Sequence, residues 1–472
     1  GPLVGPLVCS PLVCPPLAPP VVPVASPVVT GPVVPPVVAV PVVPELLAAP
    51  SVAPPVVSPS SFPQASATDS RIIGSDRRRG MSAKVPPAAA RVNRPIVGAS
   101  PMIKPTTMRL LAPVPPPYDP LEWSRKPLQE RGRMVCESWA LQGYGTPPAV
   151  YLFYALKVAL LIGGWIAWCG LSPALGGVGD IAAWWLHPIA FQKAIVWSML
   201  FEVLGLGCGS GPLTGRYMPP IAGFLHFLRP GTTKLPLWPR LPVLGGHRRG
   251  LLEVLLYLGL LIACGRALSA AEPGLEHFVP LVVLVPLLGV LDRTIFLAAR
   301  AEHYWVTLLC FVFARDWIDG AMAVQLALWF WAGVSKLNHH FPTVVCVMIS
   351  NGPLTRMQWL RRRMYRDYPR DLRPSTLATV LAHSGTALEL AVPLAFLAIP
   401  LGLPPELAIA LMLLLHGFIT GSVPMGVPIE WNVMVVYGGF ALFWAHPGVT
   451  LAGVGPPWFA ALLVTLLVGV PL

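Results

Sequence analysis

Residues 149–169 read AVYLFYALKVALLIGGWIAWC, with Lys157 the only charge. A helix rises about 1.5 Å per residue, so a run of this length reaches roughly the 30 Å thickness of a bilayer's hydrocarbon core. A helix on the surface of a soluble domain carries a polar face, whereas one that is apolar all round is buried in a large core or in lipid. Runs of the same kind follow at 181–207, 251–270, 278–298, 304–313, 320–337, 375–399, 406–420, 431–444 and 458–472. The charged knot Arg315–Asp316–Trp317–Ile318–Asp319 divides the fifth run from the sixth. The expected fold is all-α: a polytopic transmembrane helix bundle of about ten spans, within two, because only helices or closed barrels satisfy their own backbone in lipid. A barrel would alternate in segments of roughly ten residues, and these runs do not. Pro286, Pro393 and Pro400 are expected to kink or end their helices. Composition agrees, with 54% of the 472 residues hydrophobic and 11% charged, against roughly 25% charged in soluble domains. That balance excludes a secreted disulfide scaffold, a coiled coil and a cytosolic enzyme.

Charge sets the expected orientation. Of 33 Lys and Arg, 13 fall within 71–133, six within 216–249 and seven within 356–373, all outside the apolar runs. Basic loops stay on the cytoplasmic side, so these stretches and both termini are placed in the cytoplasm and the chain in the plasma (bacterial inner) membrane. The net charge of +12 suggests anionic lipid headgroups as partners. Nucleic acid is not expected, since no aromatic-interleaved basic fold accompanies the charge. Residues 1–70 hold 19 of the 58 prolines and no Lys or Arg. Proline at that density forbids a span, and a signal peptide wants a basic start, so the segment reads as disordered. The chain opens on Gly, which fits an extension upstream of a start at Met81, Met102 or Met108. The organisation is a Pro/Val/Ala-rich disordered segment at 1–108, a basic cytoplasmic region at 109–148 and a helical membrane domain at 149–472. The last apolar run reaches Leu472 without a polar cap, as a truncated C-terminus would. The eight cysteines form no CxxC pair, so neither a metal cluster nor a disulfide framework is expected.

PPPYDPLEW (115–123), QGYGTPPAVYLFYALK (142–157), GPLTGRYMPPIAGFLHFLRPGTTKLPLWP (211–239) and FWAGVSKLNHHFPTVVCVMISNGPL (330–354) resemble an uncharacterised multi-pass membrane family of actinobacterial, high-GC type. The similarity runs from about residue 113 to the end. It implies the architecture and leaves the reaction open. A fainter similarity, on AGVSKL (332–337) and ELAVPL (389–394), is to the membrane domain of vitamin K-dependent gamma-carboxylase-like proteins and to DoxX-like bundles. In the carboxylase group a lysine acts as base on a quinol, and that resemblance would give the role to Lys336.

Ionisable groups at membrane depth cost roughly 2.5–3.5 kcal/mol each on insertion scales, which makes them functional candidates. Trp329, Gly333, Lys336 and His340 follow spacings of four, three and four, one stripe of a helix. A desolvated Lys336 amine becomes a base, unless the side chain snorkels to the interface. His383 and Glu389, about 120° apart on the next helix, are its candidate proton partners with His340. Lys157, Lys193, Glu202 and Asp292 are expected to pair among themselves, and His416 to be a hydrogen-bonded packing residue. The glycine run 205–211, with Arg216, Arg229 and Lys234 near it, is a candidate for a lipid phosphate, the alternative being a hinge. Arg361, Arg362 and Arg363, with Trp359, Tyr365 and Tyr368, read as a surface-lying amphipathic segment that attracts anionic headgroups. The adjacent His339 and His340 diverge by about 100° on a helix and make no metal box. No cofactor is identified. Three classes of function remain: an intramembrane enzyme on a lipid or quinone-like substrate with a Lys base, a transporter of a lipid or small hydrophobic molecule gated around Glu202, Asp292 and Glu389, and a membrane scaffold.

Overall fold

The computed structural model describes residues 116–207, 222–241, 245–355, 357–422, 429–447 and 452–471. The disordered segment and the alternative starts expected within 1–108 lie outside the described residues. Helices α1 (Pro120–Arg125) and α2 (Leu128–Gln142) precede α3 (Pro148–Cys169). Next come α4 (Ile181–Trp184), α5 (Pro188–Val203), α6 (Ala222–Leu228), α7 (Leu251–Ser269), α8 (Leu275–Leu291), α9 (Arg293–Ala298) and α10 (Tyr304–Phe313). Then α11 (Trp317–Val334), α12 (Phe341–Asn351) and α13 (Gln358–Met364) lead into an antiparallel hairpin of β1 (Tyr365–Asp367) and β2 (Asp371–Pro374). The remainder is α14 (Thr376–Ala398), α15 (Pro405–Gly421), α16 (Ile429–Gly438) with a π-helical extension over Gly439–Trp444, and α17 (Pro457–Val464) with another over Thr465–Gly469.

The all-α membrane bundle read from the apolar runs is the fold that forms. Among the described residues, four helices are long and apolar enough to cross a bilayer, Pro148–Cys169, Leu251–Ser269, Trp317–Val334 and Thr376–Leu401. Shorter apolar helices of 10–17 residues accompany them. Sequence punctuation explains the boundaries. Proline opens α3, α5, α15 and α17, where its missing N–H costs nothing. Asp292, Asp316 and Ser375 cap α9, α11 and α14 by accepting the backbone N–H of Thr294, Ile318 and Ala378. The run 278–298 is therefore not one helix: α8 stops at Leu291 and Asp292 starts α9. The run 181–207 is likewise broken ahead of Pro188. Pro286 and Pro393 stay inside α8 and α14 rather than ending them, while Pro400 lies in the 3-10 turn that terminates α14. Nothing in the apolar pattern anticipates α12, and the basic segment after it is α13 plus a hairpin.

In an apolar medium every indole and phenol must find a partner inside the protein, and these bonds fix the packing. Across the α3–α5 contact Trp197 and Trp165 donate to Leu161 O (2.8 Å) and Ala190 O (2.9 Å), and Lys193 Nζ donates to Trp168 O (2.8 Å). Residues 157, 161 and 168 of α3 meet residues 207, 197 and 193 on and just after α5, so the two helices are antiparallel. Tyr257 Oη donates to Val203 O (2.7 Å), tying the start of α7 to the end of α5, and Trp305 Nε1 donates to Val282 O (2.9 Å) between α10 and α8. Helix α5 is central, with 13 of its 16 residues buried, Lys193 and Glu202 among them. Contacts put the starts of α7, α10 and α16 at one end with the finishes of α5 and α8, Tyr257 meeting Val203, Arg249 meeting Asp292 and Trp431 meeting His303, whereas the end of α11 meets the middle of α14, Gly333 against Leu390. Arg249 and Arg300 lie at that end, the basic end of the bundle.

Candidate functional site

Helices α11 and α14 meet through a glycine. A Cβ at Gly333 would stand 2.7 Å from Leu390 Cδ2 and 3.4 Å from Leu390 N, so a larger residue would force the helices apart. This contact brings the last turn of α11 beside Glu389, whose side chain is 6% exposed. Helix α11 ends at Val334, and Lys336 N–H donates to Gly333 O (3.0 Å) in a turn beyond it. Lys336 Nζ then reaches back to Glu389 Oε1 (2.6 Å), Glu389 Oε2 (2.5 Å) and Ala332 O (3.0 Å). An ammonium has three protons and no lone pair; here it donates to Glu389 Oε1 and Ala332 O, with Glu389 Oε2 in ion-pair contact. In this arrangement Lys336 is a cation held by a carboxylate.

The helical stripe expected from Trp329 to His340 is broken, because the helix stops two residues short of Lys336. Trp329 and Gly333 lie on it, both buried, whereas His340 is the exposed N-cap position of α12. His383 lies on α14 with Glu389 but is exposed where Glu389 is buried, as their angular separation demands. Among the described contacts neither imidazole is bonded to the pair. The structure thus brings Lys336 and Glu389 together and leaves His340 and His383 outside their hydrogen bonds.

Behind the pair lies a neutral polar knot. Trp329 Nε1 donates to His416 Nε2 (2.9 Å), so the His416 proton is on Nδ1 and is donated to Asn432 Oδ1. Asn432 Nδ2 donates to Thr420 Oγ1 (2.7 Å) and His416 O (3.1 Å), and Thr420 Oγ1 donates to His416 O (2.8 Å). Both ring nitrogens of His416 are occupied, which makes it a stitch between α11, α15 and α16. Asn432 and Thr420 escaped sequence reading because neutral polar residues in apolar runs give no charge signal.

Three other buried carboxylates pair at the basic end. Lys234 with Glu253 and Arg249 with Asp292 are sealed ion pairs, and Arg300 Nε lies 3.7 Å from Glu202 Oε1. Arg249 also donates to Thr232 Oγ1 (2.8 Å) and His226 O (3.2 Å). The expected pairing among Lys157, Lys193, Glu202 and Asp292 does not form. Both lysines bind carbonyls instead, Lys157 that of Gly207 (3.3 Å) and Lys193 that of Trp168 (2.8 Å), while the carboxylates find arginines from loops. Trp431 Nε1 donates to His303 Nδ1 (3.0 Å) and receives Arg300 over its ring. Helix α16 thereby joins both networks through the adjacent residues Trp431 and Asn432. Arg249 sits in the stretch 216–249 whose charges set the expected orientation, while Arg300 and His303 sit in the short loop ahead of α10.

Of the headgroup candidates, Arg229 is exposed and Lys234 is buried against Glu253. Arg216 and residues 208–211 of the glycine run lie outside the described residues. Arg361 points inward, Nε to Ala140 O (3.0 Å) and Nη2 to Trp139 O (3.2 Å), whereas Arg362 and Arg363 are exposed.

A family model described as transmembrane protein of unknown function (DUF3556) matches residues 108–472, and the chain belongs to that family. No curated protein matches, and no solved structure matches.

Proposed function

We propose that this transmembrane protein is an intramembrane enzyme that acts on a lipid-soluble, quinone-like molecule by proton exchange at the Lys336–Glu389 pair. The carrying observation is a contrast in exposure. Lys336 keeps 29% of its side chain exposed, against 2% for Lys234, 0% for Arg249 and 15% for Arg300 in the other ion pairs that bury a carboxylate. A group that exchanges protons with a visitor needs an open side and a closed side; this pair has both.

The chemistry follows from the pairing. At rest Lys336 is protonated and is no base. A substrate that fills the open side excludes water from the pair, and passing a proton from the ammonium to Glu389 then replaces two desolvated charges by two neutral groups. The freed amine lone pair then takes the proton of a substrate hydroxyl, giving the substrate oxyanion and restoring the ammonium beside it. Glu389 holds the displaced proton until the oxyanion's product form needs one. Arginine cannot play this part, since its guanidinium does not lose its proton in proteins.

The test compares the lipid and quinone pools of cells carrying the wild type, a deletion, Lys336→Arg or Glu389→Gln. Lys336→Arg keeps the charge and the ion pair, so the enzyme reading expects its extract to match the deletion's while the protein still accumulates in the membrane. Wild-type chemistry in Lys336→Arg cells would overturn the reading in favour of a structural pair. Identical pools in all four strains would point to a scaffold. A lipid redistributed between leaflets without chemical change would point to a transporter.

A further inference from the structure

Helices α2, α12 and α13, the hairpin and the first turns of α14 build a second cluster. Ala140 of α2, Val345, Cys346 and Ile349 of α12, Met364 and Tyr365, and Ala378 and Ala382 of α14 form a core separate from that of the bundle. Arg361 bolts it shut. Its guanidinium donates to the Ala140 and Trp139 carbonyls at the end of α2, the latter also accepting from Gly143 N–H and Asn351 Nδ2, a cation at a helix C-terminus. Arg361 therefore belongs to the inside of this unit, on the face of α13 that also carries Leu360 and Met364.

The opposite face of α13 is unlike it. Trp359, Arg362 and Arg363 follow each other at spacings of three and four from the tryptophan, so they share one side, and all three are exposed. The Arg363 guanidinium lies 5.7 Å from the Trp359 ring centroid. Leu354 and Met357, 78% and 44% exposed, precede them. The hairpin continues the charge with Arg366 and Arg370 exposed and Asp367 its one opposing carboxylate, because Asp371 is engaged by Arg373. That pairing holds the partly exposed Asp371 carboxyl down at about 2. Beside the hairpin an open cleft of about 430 Å³ is lined by Arg366, Pro374, Ser375, Thr376 and Thr379.

Position selects the partner. Strand β2 ends at Pro374, Ser375 caps α14, and α14 is one of the helices long and apolar enough to cross a bilayer. Its first turns expose Leu377, Val380 and Leu381. The basic face thus stands where a membrane helix enters the headgroup layer, the depth at which Trp and Arg are favoured. We propose that the α13–hairpin unit lies on the bilayer surface and binds phosphates of anionic lipids through Arg362, Arg363 and Arg366, with Trp359 as interfacial anchor. This stands independently of any chemistry at Lys336. The surface complements a sheet of negative charge flanking apolar chains, which a soluble polyanion does not offer.

The full chain is reconstituted in phosphatidylcholine vesicles doped with equal mole fractions of either brominated phosphatidylglycerol or brominated phosphatidylcholine. The Trp359 contribution is taken as wild type minus Trp359→Phe. A basic residue near an anionic surface favours it roughly fivefold, so quenching by the brominated anionic lipid should exceed that by the neutral one several-fold. Arg362→Gln with Arg363→Gln, both at exposed positions, should bring the ratio to about one. Equal quenching in the wild type would overturn the proposal, as would no quenching by either lipid. A preference abolished by millimolar inorganic phosphate would assign the site to a free anion and overturn it equally. Quenching of Trp359 by added RNA in place of lipid would assign the face to a soluble polyanion, with the same consequence.

Discussion

Removing one partner of the Lys336–Glu389 pair should cost unequally, depending on which is removed. At about 2.6 Å and an effective dielectric of about 20 the attraction is on the order of 6 kcal/mol before desolvation is subtracted. Desolvation falls mainly on Glu389, 6% exposed, and much less on Lys336, 29% exposed. Lys336→Met strands a buried carboxylate, and losing one member of a buried pair costs about 3–5 kcal/mol; partial exposure of the site favours the lower end, about 3. Glu389→Gln strands an ammonium that is 29% exposed on a flexible stem, so about 1–2 kcal/mol is expected. The double variant buries one neutral amide and should lie near the milder single variant. The coupling is then on the order of 2–3 kcal/mol, well outside the scatter of additive sites. Reversible unfolding in mixed micelles, titrated with a denaturing detergent and followed by tryptophan fluorescence, measures all four corners of the cycle. Single effects that simply add to within about 0.5 kcal/mol would refute the reasoning, and so would a larger loss for Glu389→Gln than for Lys336→Met.

His416→Ala unpairs Trp329 Nε1 and Asn432 Oδ1 together and should destabilise by about 2–4 kcal/mol, from a cavity and stranded polar groups; the same micelle titration reads it. Arg249→Met leaves Asp292 buried without its guanidinium and should cost about 3–5 kcal/mol, whereas Arg249→Met with Asp292→Asn should recover most of that. Arg361→Gln removes the bonds to Trp139 and Ala140 carbonyls and should loosen α2 at a cost of about 1–2 kcal/mol, seen as faster amide exchange in 128–142. Arg362→Gln should leave that exchange unchanged, and equal acceleration in both variants would show that Arg361 is no bolt.

Apolar periodicity made the bundle legible because lipid punishes every unsatisfied backbone group and so leaves few alternatives. The same signal blurred where a polar residue ended a helix inside an apolar run. Asp292 looks like a charge within a span until its side chain is seen accepting the N–H that starts α9. Glu389 and Lys336 were found as costly charges, and their pairing follows from Gly333 admitting α14. His340 was misplaced on the same stripe because nothing in SKLNHH marks where α11 stops, and the turn after Val334 rotates the chain out of register. Arg361 shows the opposite failure. Three consecutive arginines read as one surface, but successive helical residues diverge by about 100°, so one of the three had to face the core.

The choice between lysine and arginine in the buried pairs separates structure from chemistry. Arg249 and Arg300 neutralise carboxylates with a guanidinium that keeps its charge, and Arg249 reaches further acceptors at once, binding Asp292, Thr232 and the His226 carbonyl. That is what a permanent strut requires. Lys234 is also a strut, sealed with Glu253 so that no visitor reaches its amine. Lys336 alone of these cations combines an ionisable amine with an open approach, at a position where a guanidinium would hold the helices as well. A bundle needing only adhesion between α11 and α14 gains nothing from an exchangeable proton there. If the pair were adhesive, arginine at 336 would serve as well as lysine; proton exchange makes the two residues differ in chemistry and agree in stability.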